Sequence, residues 1–476
     1  MIAPPKSGGF FLDGKKLAEG ESFEVRSPFD GSLVGTAFRG TAEHADAAVS
    51  AAVRAFEITR KMPSHLRQRI LRDVSQGIQD RREEFAQLIA LEAGKPLKTA
   101  RGEIDRAIFT FAVAADEAPR IHGEALALDW QPSAEGRHGI VRRFPVGPIL
   151  GITPFNFPLN LVAHKVAPAM AAGCTMVLKP APQTPLTSLM LAELIEKAGW
   201  PAGALNVLPL ANPDAERLVM DDRLRLLSFT GSGPVGWALK AKSGKKKVVL
   251  ELGGNAGVIV HSDWDIEDAA KRCVAGGFSY AGQSCISVQR IFVHRPAEEK
   301  FTAALLAGVK ALKVGNPLDE STDVGPMIDE KAARRAAEWI DEAVRGGAKI
   351  LTGGNRHGSV LEPAILTNTK PKMKVNCQEV FAPVVTVEPY DDFDDALGRV
   401  NDSPFGLQAA VFTRDAKRIF RAFEQLEVGG VIVGDMSSFR IDHMPYGGVK
   451  DSGMGREGLR YAIEEMTDLR ILVLNV

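Results

Sequence analysis

A cysteine and a glutamate in two short glycine-bearing motifs could together carry out covalent chemistry on a carbonyl group. Cys285 lies in the segment GQSCIS at 282–287, where a turn can present its thiol. Glu251 ends the apolar stretch 248–250 and begins the segment ELGG at 251–254. A thiol can attack a carbonyl carbon, and a carboxylate base can activate the water that releases the acyl group. These residue types therefore predict covalent chemistry at a carbonyl, followed by hydrolysis.

The elements around these motifs predict parallel sheets. After a β-like opening the first third is mostly helical, and from residue 142 strands alternate with helices, which is typical of parallel sheets covered on both faces. Ligands of such sheets bind beyond the carboxyl ends of the strands. Asn156, Lys179, Gly231-Ser232 and Glu251 each end or follow a predicted strand. The predicted helices span 41–56, 65–93, 103–118, 159–172, 186–198, 266–278 and 297–312, and the predicted strands span 142–152, 174–178, 205–209, 224–230, 248–252, 259–260 and 291–293.

The composition is that of a soluble globular protein. The chain has 476 residues, 45% hydrophobic and 25% charged, with a net charge of -1. These values predict two or three domains and neither a nucleic-acid partner nor a membrane surface. No apolar run is long enough to span a bilayer, and residues 1–11 lack the apolar core of a signal peptide. The scattered cysteines, Cys174, Cys273, Cys285 and Cys377, predict no disulfide framework, no metal site and a reducing cytoplasm.

One glycine motif allows a different role for the glutamate. The segment GSGPVG at 231–236 matches G-x-G-x-x-G, follows a predicted strand and begins a helix. Glu251 stands at the distance where a dinucleotide-binding fingerprint places the acid that holds the ribose. Taken alone, the pattern makes Glu251 a ribose ligand. A glycine-rich turn without any ligand is the other alternative.

Several motifs in order along the chain resemble those of the aldehyde dehydrogenase superfamily. The match extends over nearly the whole chain, and its strength lies in the order of the motifs, since any one of them is weak. The matching segments are PFNFP at 154–158, KP at 179–180, FTGS at 229–232, ELGG at 251–254, GQSC at 282–285, EVFAP at 379–383 and PYGGVK at 445–450.

The resemblance implies roles for the residues that match. Cys285 resembles the nucleophile and Glu251 the base that activates the hydrolytic water, which displaces the ribose role above. Asn156 resembles the side-chain half of an oxyanion hole, which the Cys285 backbone N–H completes. Lys179 is predicted as a further catalytic residue. Phe381 resembles the residue beside the nicotinamide, although ordinary core packing would also suit it. The residues predicted to bind NAD or NADP are Thr153, Pro154, Phe155, Lys179, Pro182, Phe229, Gly231, Ser232, Val235, Leu252, Glu379 and Phe381.

The resemblance also implies the architecture. The fold class is α/β: a Rossmann-like parallel-sheet cofactor domain, a second α/β catalytic domain and a small β oligomerisation element. The expected bounds are 1–118 and 137–252 for the cofactor domain, 253–444 for the catalytic domain, and 119–136 and 459–476 for the oligomerisation segments. Members of the family form homodimers or dimers of dimers, in which a late strand extends a neighbour's sheet. The sequence leaves dimer and tetramer open.

Two positions bear on the cofactor and the acyl acceptor. Many family members carry a glutamate three residues after the lysine that matches Lys179, and this glutamate repels a 2′-phosphate. Pro182 occupies that position here, so Lys179 can pair with the phosphate, which predicts dual use or NADP preference. Members that transfer the acyl group to coenzyme A typically lack the glutamate that matches Glu251, so its presence favours hydrolysis to a free acid.

The substrate is predicted only as a class. Segment 445–458 most resembles the lactaldehyde and non-phosphorylating glyceraldehyde-3-phosphate dehydrogenases, followed by the succinic semialdehyde dehydrogenases, which act on short polar or anionic aldehydes. Arg120, Arg440 and His443 are candidate anion ligands, because a guanidinium binds carboxylate or phosphate bidentately. Each could instead be a solvated surface charge. Arg290 is interpreted as structural. A broad-specificity detoxifying enzyme remains the alternative.

Overall fold

Helices and strands cover most of the residues that the structure describes. The computed structural model describes residues 6–476, and residues 1–5, part of the segment predicted not to be a signal peptide, lie outside them. No described helix is long and apolar enough to cross a membrane. The helices are α1 Ala42–Thr59, α2 Ser64–Asp80, α3 Arg82–Ala93, α4 Leu97–Glu117, α5 Asn160–Ala172, α6 Pro185–Lys197, α7 Asn212–Met220, α8 Gly233–Lys242, α9 Ile266–Phe278, α10 Glu298–Lys310, α11 Glu330–Arg345, α12 Lys374–Cys377, α13 Phe393–Asn401, α14 Ala416–Gln425 and α15 Leu459–Glu465.

The strands form two large sheets and several small ones. They are β1 Lys6–Gly8, β2 Phe10–Leu12, β3 Lys15–Leu17, β4 Glu21–Arg26, β5 Leu33–Arg39, β6 Glu124–Ala127, β7 Arg137–Pro145, β8 Pro148–Ile152, β9 Thr175–Lys179, β10 Leu205–Val207, β11 Leu226–Thr230, β12 Lys247–Glu251, β13 Gly257–Val260, β14 Arg290–His294, β15 Lys349–Thr352, β16 Arg356–His357, β17 Val360–Leu361, β18 Ala364–Thr367, β19 Val384–Tyr390, β20 Phe405–Gly406, β21 Gln408–Phe412, β22 Gly430–Val433, β23 Val449–Lys450, β24 Gly453–Met454 and β25 Thr467–Asn475.

The first large sheet has eight strands in the order β24-β12-β11-β8-β9-β10-β2-β3. Its centre, β12 to β10, is parallel, and β24 and β2 join it antiparallel. Every residue of β8, β9 and β11 is buried, because these short apolar runs lie between helices on both faces. The parallel arrangement brings Lys179, Thr230 and Glu251 to one edge of the sheet, at the carboxyl ends of their strands.

The second large sheet has seven strands in the order β15-β18-β19-β14-β13-β21-β22. All its neighbours are parallel except β15, which pairs antiparallel with β18. The segment between α9 and β14 enters this sheet and carries Cys285. The predicted helix 266–278 and strand 291–293 are confirmed here as α9 and β14.

A three-stranded antiparallel sheet, β25-β7-β6, corrects one predicted strand. The single strand predicted at 142–152 is two strands, since the chain breaks at Gly147, whose φ of 133° favours glycine. Because β7 pairs with β25 over its whole length, residues 137–145 belong to this small sheet. The expected bounds of the cofactor domain, 137–252, include these residues and stay a prediction. The helix predicted at 65–93 is likewise two helices, α2 and α3, separated at Arg81.

Candidate active site

A strained turn presents Cys285. Tyr280 and Ala281 have φ of 50° and 52°, and Gly282 follows with φ of 67°. Left-handed backbone at a residue other than glycine costs about 1–3 kcal/mol and persists where the surroundings enforce it. A Cβ at Gly282 would lie 2.1 Å from the Ala382 carbonyl oxygen, so glycine is required there. The turn leaves Cys285 half-buried on the wall of a cleft.

Two cavities meet at the thiol. A cavity of about 730 Å³ extends from Cys285 over the carboxyl edge of the first sheet and includes Glu251 and Glu379. A second cavity, of about 650 Å³, extends from Cys285 towards Arg106 and Arg440. Both volumes suit small-molecule sites. Asn156, Leu161 and Cys285 line both cavities. The thiol can therefore contact a ligand from either side.

The Cys285 thiol is hydrogen bonded to Tyr446, which sequence analysis did not single out. The distance between Cys285 Sγ and Tyr446 Oη is 3.0 Å. Burial raises the pKa of Cys285 to about 12, and the Tyr446 hydrogen bond opposes this rise. A thiolate, the nucleophilic form, thus needs local stabilisation in this site.

Glu251 is buried at the end of β12, beside the Cys285 cleft. Neither carboxylate oxygen has a hydrogen-bond partner among the described residues. Burial, followed by the neighbouring Glu457 carboxylate, raises the pKa of Glu251 well above its ordinary value. Burying a carboxylate whose oxygens both lack hydrogen bonds destabilises the folded protein, so such a group is typical of a functional site. Here the function can be to accept a proton from water.

Asn156 lies where an oxyanion donor is expected. It is buried, and its Nδ2 donates a hydrogen bond of 3.0 Å to the carbonyl oxygen of Gln283, two residues before Cys285. An amide NH₂ carries two N–H donors, so a second N–H remains for a ligand. The Gln283 side chain in turn accepts a hydrogen bond of 2.8 Å from the Ile328 backbone N–H. These contacts fix Asn156 to the loop that carries the nucleophile.

The larger cavity fits a dinucleotide. Ser232 precedes α8 and lies at its N-terminus, where helix dipole and free N–H groups favour phosphate. The rings of Phe155 and Phe381 pack edge to face, with their centroids 6.0 Å apart. Glu379 accepts a hydrogen bond of 2.9 Å from the Gly254 N–H, and burial raises its pKa to about 7. Of the predicted cofactor residues, those that line this cavity are Pro154, Phe155, Gly231, Ser232, Leu252, Glu379 and Phe381.

Five predicted cofactor residues do not line this cavity: Thr153, Lys179, Pro182, Phe229 and Val235. Lys179 is buried at the end of β9, where burial and then Arg39 lower its pKa. Pro182 is exposed in the turn before α6. Their roles towards a cofactor, and that of Lys179 in catalysis, stay predictions.

A buried network of charges surrounds the second cavity and was not predicted. Arg440 donates to Glu457 at 2.9 Å, and Lys165 donates to the same carboxylate at 3.4 Å. Burial alone would raise the pKa of Glu457, but Lys165 and Arg440 lower it to about 2. Asp442 joins the network through His164, whose Nε2 lies 2.7 Å from Asp442 and 3.2 Å from Arg440. Arg106 donates to Asp442 at 2.6 Å. The only sequence signal was Lys165 inside α5, a helix that is otherwise mostly apolar.

The structure separates the three candidate anion ligands. Arg440 lines the second cavity, and its Nε is buried without a hydrogen-bond partner among the described residues. The structure contradicts the predicted role of Arg120 as an anion ligand in this site. Arg120 follows the end of α4 and lines a separate pocket of about 430 Å³, where it pairs with Glu117. His443 packs against Phe109 with ring centroids 5.9 Å apart and does not line the cavity.

Arg106 and Arg290 differ in what their guanidinium groups contact. Arg106, which sequence analysis missed, lines the second cavity with Arg440. Arg290 donates to the carbonyl oxygens of Asn255, Arg399 and Val400, so its guanidinium is used in holding the backbone. Within residues 6–476 no cluster of three or more His, Cys, Asp or Glu side chains could hold a metal ion.

Comparison with known proteins identifies relatives over the full length of the chain. The model of the aldehyde dehydrogenase family matches residues 16–472. The 3-sulfolactaldehyde dehydrogenase of Priestia aryabhattai is 45% identical over 472 residues, which cover 99% of this chain and 98% of that protein. These matches confirm the resemblance seen in the motifs.

Solved structures confirm the fold class. Aldehyde dehydrogenase 21 from Physcomitrella patens, in complex with the reaction product succinate, is 44% identical with a TM-score of 0.98, and the match covers 100% of this chain and 99% of that chain. The glyceraldehyde-3-phosphate dehydrogenase GapN from Methanocaldococcus jannaschii, complexed with NADP, is 37% identical with a TM-score of 0.93. This match covers 97% of this chain and 100% of that chain.

Proposed function

Because the chain belongs to the aldehyde dehydrogenase family, whose members are NAD(P)-dependent oxidoreductases, we propose that it oxidises a short anionic aldehyde to its carboxylic acid through a thioester on Cys285. The observation that carries the substrate class is the second cavity. Arg106 and Arg440 both line it on the far side of the thiol from the dinucleotide cavity. A guanidinium binds a carboxylate, sulfonate or phosphate bidentately. The Nε of Arg440 has no hydrogen-bond partner among the described residues, which leaves one donor of this guanidinium unsatisfied.

In the proposed acylation, the Cys285 thiol loses its proton to solvent and Sγ attacks the aldehyde carbon. Charge develops on the aldehyde oxygen, and Asn156 Nδ2 and the Cys285 backbone N–H donate hydrogen bonds to it. Losing one such donor typically costs about 10²–10³-fold in rate. A nicotinamide cofactor, when bound, would supply the acceptor for the hydride that leaves this carbon. The acyl group then remains on Cys285 as a thioester.

In the proposed deacylation, Glu251 accepts a proton from a water molecule. The water oxygen attacks the thioester carbon, the carbon–sulfur bond breaks, and the acid leaves while the thiolate is restored. The two unpartnered oxygens of Glu251 support this role, since water can be their hydrogen-bond partner. The presence of Glu251 also argues against coenzyme A as the acyl acceptor.

For the cofactor we propose NADP, or dual use of NAD and NADP. Pro182 offers no carboxylate against a 2′-phosphate, and Lys179 and Arg39 provide positive charge at the end of β9. The NADP-bound relative described above supports this preference. We further propose a cytoplasmic location, which the four free cysteines support.

An assay of NAD(P)H formation tests the proposed function. The substrates are succinic semialdehyde, 3-sulfolactaldehyde, glyceraldehyde 3-phosphate, lactaldehyde and butanal, each with NAD and with NADP. An anionic aldehyde should exceed butanal in kcat/KM by about 100-fold, equivalent to ~2.7 kcal/mol of transition-state stabilisation. Arg106→Gln should reduce that ratio by about tenfold, as expected for losing a hydrogen bond to a charged group.

The matched control is Arg82→Gln. Like Arg106, which binds the Asp442 carboxylate with two hydrogen bonds, Arg82 binds a carboxylate with two, that of Asp105, but it lies outside the second cavity. The variant Arg82→Gln should keep the ratio of kcat/KM between an anionic aldehyde and butanal that the unmodified protein shows. Equal kcat/KM on all five aldehydes would instead indicate a broad detoxifying enzyme. A rate that requires coenzyme A would indicate an acylating enzyme.

We also propose that the chain forms a homodimer or homotetramer through β25. This strand lies at the edge of its sheet and is exposed from Asp468 onwards, and β22 forms an edge of the second large sheet. Exposed apolar edge strands favour pairing with another chain. The exposed apolar side chains of β25 are Leu469, Ile471, Leu472, Val473 and Leu474.

Size-exclusion chromatography with light scattering should therefore find a dimer or a larger assembly. Leu472→Lys should shift the population towards monomer, because a lysine on an edge strand opposes pairing. Met220→Lys is the control, since Met220 is equally exposed, at 53% against 54% for Leu472, and lies at the end of α7. A monomer in the unmodified protein would contradict the proposal.

A further inference from the structure

Tyr446 is positioned to act on the sulfur of the nucleophile. Its hydroxyl lies 3.0 Å from Cys285 Sγ, and its side chain is 3% exposed. Burial raises the pKa of Tyr446 well above its ordinary value, so the phenol keeps its proton. When Cys285 is a thiol, either group can donate the hydrogen bond. Once Cys285 is a thiolate, only the phenol can donate.

A cation lies over the face of the same ring. The Arg440 Cζ is 3.7 Å from the Tyr446 ring centroid, and Arg440 is held there by Glu457. A guanidinium at this distance is attracted to the ring electrons and draws on them, which makes the hydroxyl a better hydrogen-bond donor. Arg440 thus favours a phenol that donates to sulfur.

The backbone fixes the Tyr446 hydroxyl relative to both reacting groups. Tyr446 and Glu457 exchange two backbone hydrogen bonds, of 3.0 and 2.7 Å. The next residue, Gly447, packs so closely that an added Cβ would lie 2.8 Å from Oε1 of Glu251. One dipeptide therefore contacts the nucleophile through Tyr446 and the base through Gly447.

We propose that Tyr446 is a further catalytic residue, which donates a hydrogen bond to the Cys285 thiolate before attack and again when the thiolate leaves the thioester. The proposal deepens the proposed function and rests on it, since it concerns the nucleophile that the function requires. Tyr446 transfers no proton: the thiol proton goes to solvent, and the phenolic O–H bond stays intact. Arg440 acts as a positioning residue for the ring, in addition to its proposed contact with the substrate anion.

Alkylation of Cys285 by iodoacetamide tests the proposal without aldehyde or cofactor. Mass spectrometry identifies the alkylated residue while the rate is followed from about pH 6 to about pH 10, across the range in which thiols ordinarily titrate. Because burial raises the pKa of Cys285 to about 12, beyond this range, the midpoint compared between variants is the pH at which the rising alkylation rate reaches one fixed reference value. In Tyr446→Phe the midpoint of the rate should move up by about one pH unit, and the rate at neutral pH should fall about tenfold, as expected for a lost hydrogen bond to a charged group. An unchanged or faster rate would overturn the proposal, because it would mean that the phenol holds the thiol in an unreactive form or does nothing.

Two further variants separate this effect from a loss of structure. Tyr390→Phe removes another buried phenol, which binds His261 at 2.8 Å in the second large sheet, and should leave the alkylation profile unchanged. Replacement of Tyr446 by 3-fluorotyrosine keeps the shape of the ring and strengthens the donor, so the midpoint should move down. A midpoint that stays or rises would overturn the proposal even if Tyr446→Phe failed to fold.

The alkylation result is independent of the aldehyde panel. A shift of the midpoint in a protein that oxidises none of the aldehydes would support the role of Tyr446 towards the thiolate while rejecting the proposed function. Aldehyde oxidation with an unshifted midpoint would do the reverse.

Discussion

In the variant Glu251→Gln, mixing enzyme, cofactor and aldehyde should produce about one NAD(P)H per active site quickly and then almost none. Acylation and hydride transfer use Cys285 and Asn156, which the substitution leaves in place. Hydrolysis requires a base for water, and glutamine cannot accept the proton. Steady-state kcat should therefore fall by about 10²–10⁴-fold, the range expected for losing a general base. Stopped-flow measurement at the absorbance of NAD(P)H separates the burst from the steady rate.

The pH dependence follows from the same carboxylate. Burial and Glu457 raise the pKa of Glu251, and only its ionised form accepts a proton from water. In the unmodified protein kcat should therefore increase as pH rises through this raised pKa, and it should be lost as pH falls below it. Glu251→Gln should lack this increase in its residual deacylation rate.

A remote, half-buried glutamate provides the control for this variant. Glu388 also has a raised pKa from burial, but it accepts hydrogen bonds of 2.6 and 2.8 Å from Thr369 and lies on β19. Glu388→Gln should keep the unmodified steady-state rate. A full steady-state rate in Glu251→Gln, or a loss of the burst with it, would reject the proposed division of roles.

The strands that matter for the site were predictable because they are short apolar runs bounded by proline or glycine. The predicted strands 174–178 and 224–230 correspond to β9 Thr175–Lys179 and β11 Leu226–Thr230. The two-residue strand β24 was not predictable, since nothing local distinguishes it from a turn. It forms only because Met454 and Gly453 pair with Leu250 and Glu251, which lie far earlier in the chain.

Some residues of the site could likewise be predicted from local motifs, whereas others are identified only by contacts with residues far along the chain. Cys285, Glu251 and Asn156 stand in motifs that a reader of the sequence can find, and the structure brings all three to one cleft. Tyr446 stands in the matching segment 445–450, but nothing local indicates its contact with the nucleophile, and Arg106 stands in no motif. Tyr446 meets a partner 161 residues away in the chain, and Arg106 meets Asp442 at a separation of 336 residues. Such pairs depend on how the domains fold together, which spacing along the chain does not reveal.

The same argument explains why Arg120 was a poor choice of anion ligand. An arginine after a long helix matches the composition of an anion site as well as Arg106 does. The position of the helix decides between them: α4 directs Arg106 into the second cavity, whereas Arg120 follows its far end, beside Glu117. Residue type gave the chemistry, and only the packing of α4 gave the place.

Cys285→Ala should abolish aldehyde oxidation, with kcat reduced by about 10⁵–10⁶-fold, as for the removal of a catalytic nucleophile. No other described cysteine can substitute: Cys174 and Cys273 are buried and burial raises their pKa values, and Cys377 is not part of either cavity wall. Binding of the cofactor should persist, because the dinucleotide cavity keeps its other walls, and fluorescence titration with NADPH measures it. Cys377→Ala is the matched control and should retain full activity, since its thiol donates a hydrogen bond of 3.5 Å to the Lys372 carbonyl oxygen and lines neither cavity. Residual NAD(P)H formation in Cys285→Ala far above about one part in 10⁵ of the unmodified rate, the residual rate expected after removal of a catalytic nucleophile, would mean that hydride transfer does not require covalent attack by Cys285.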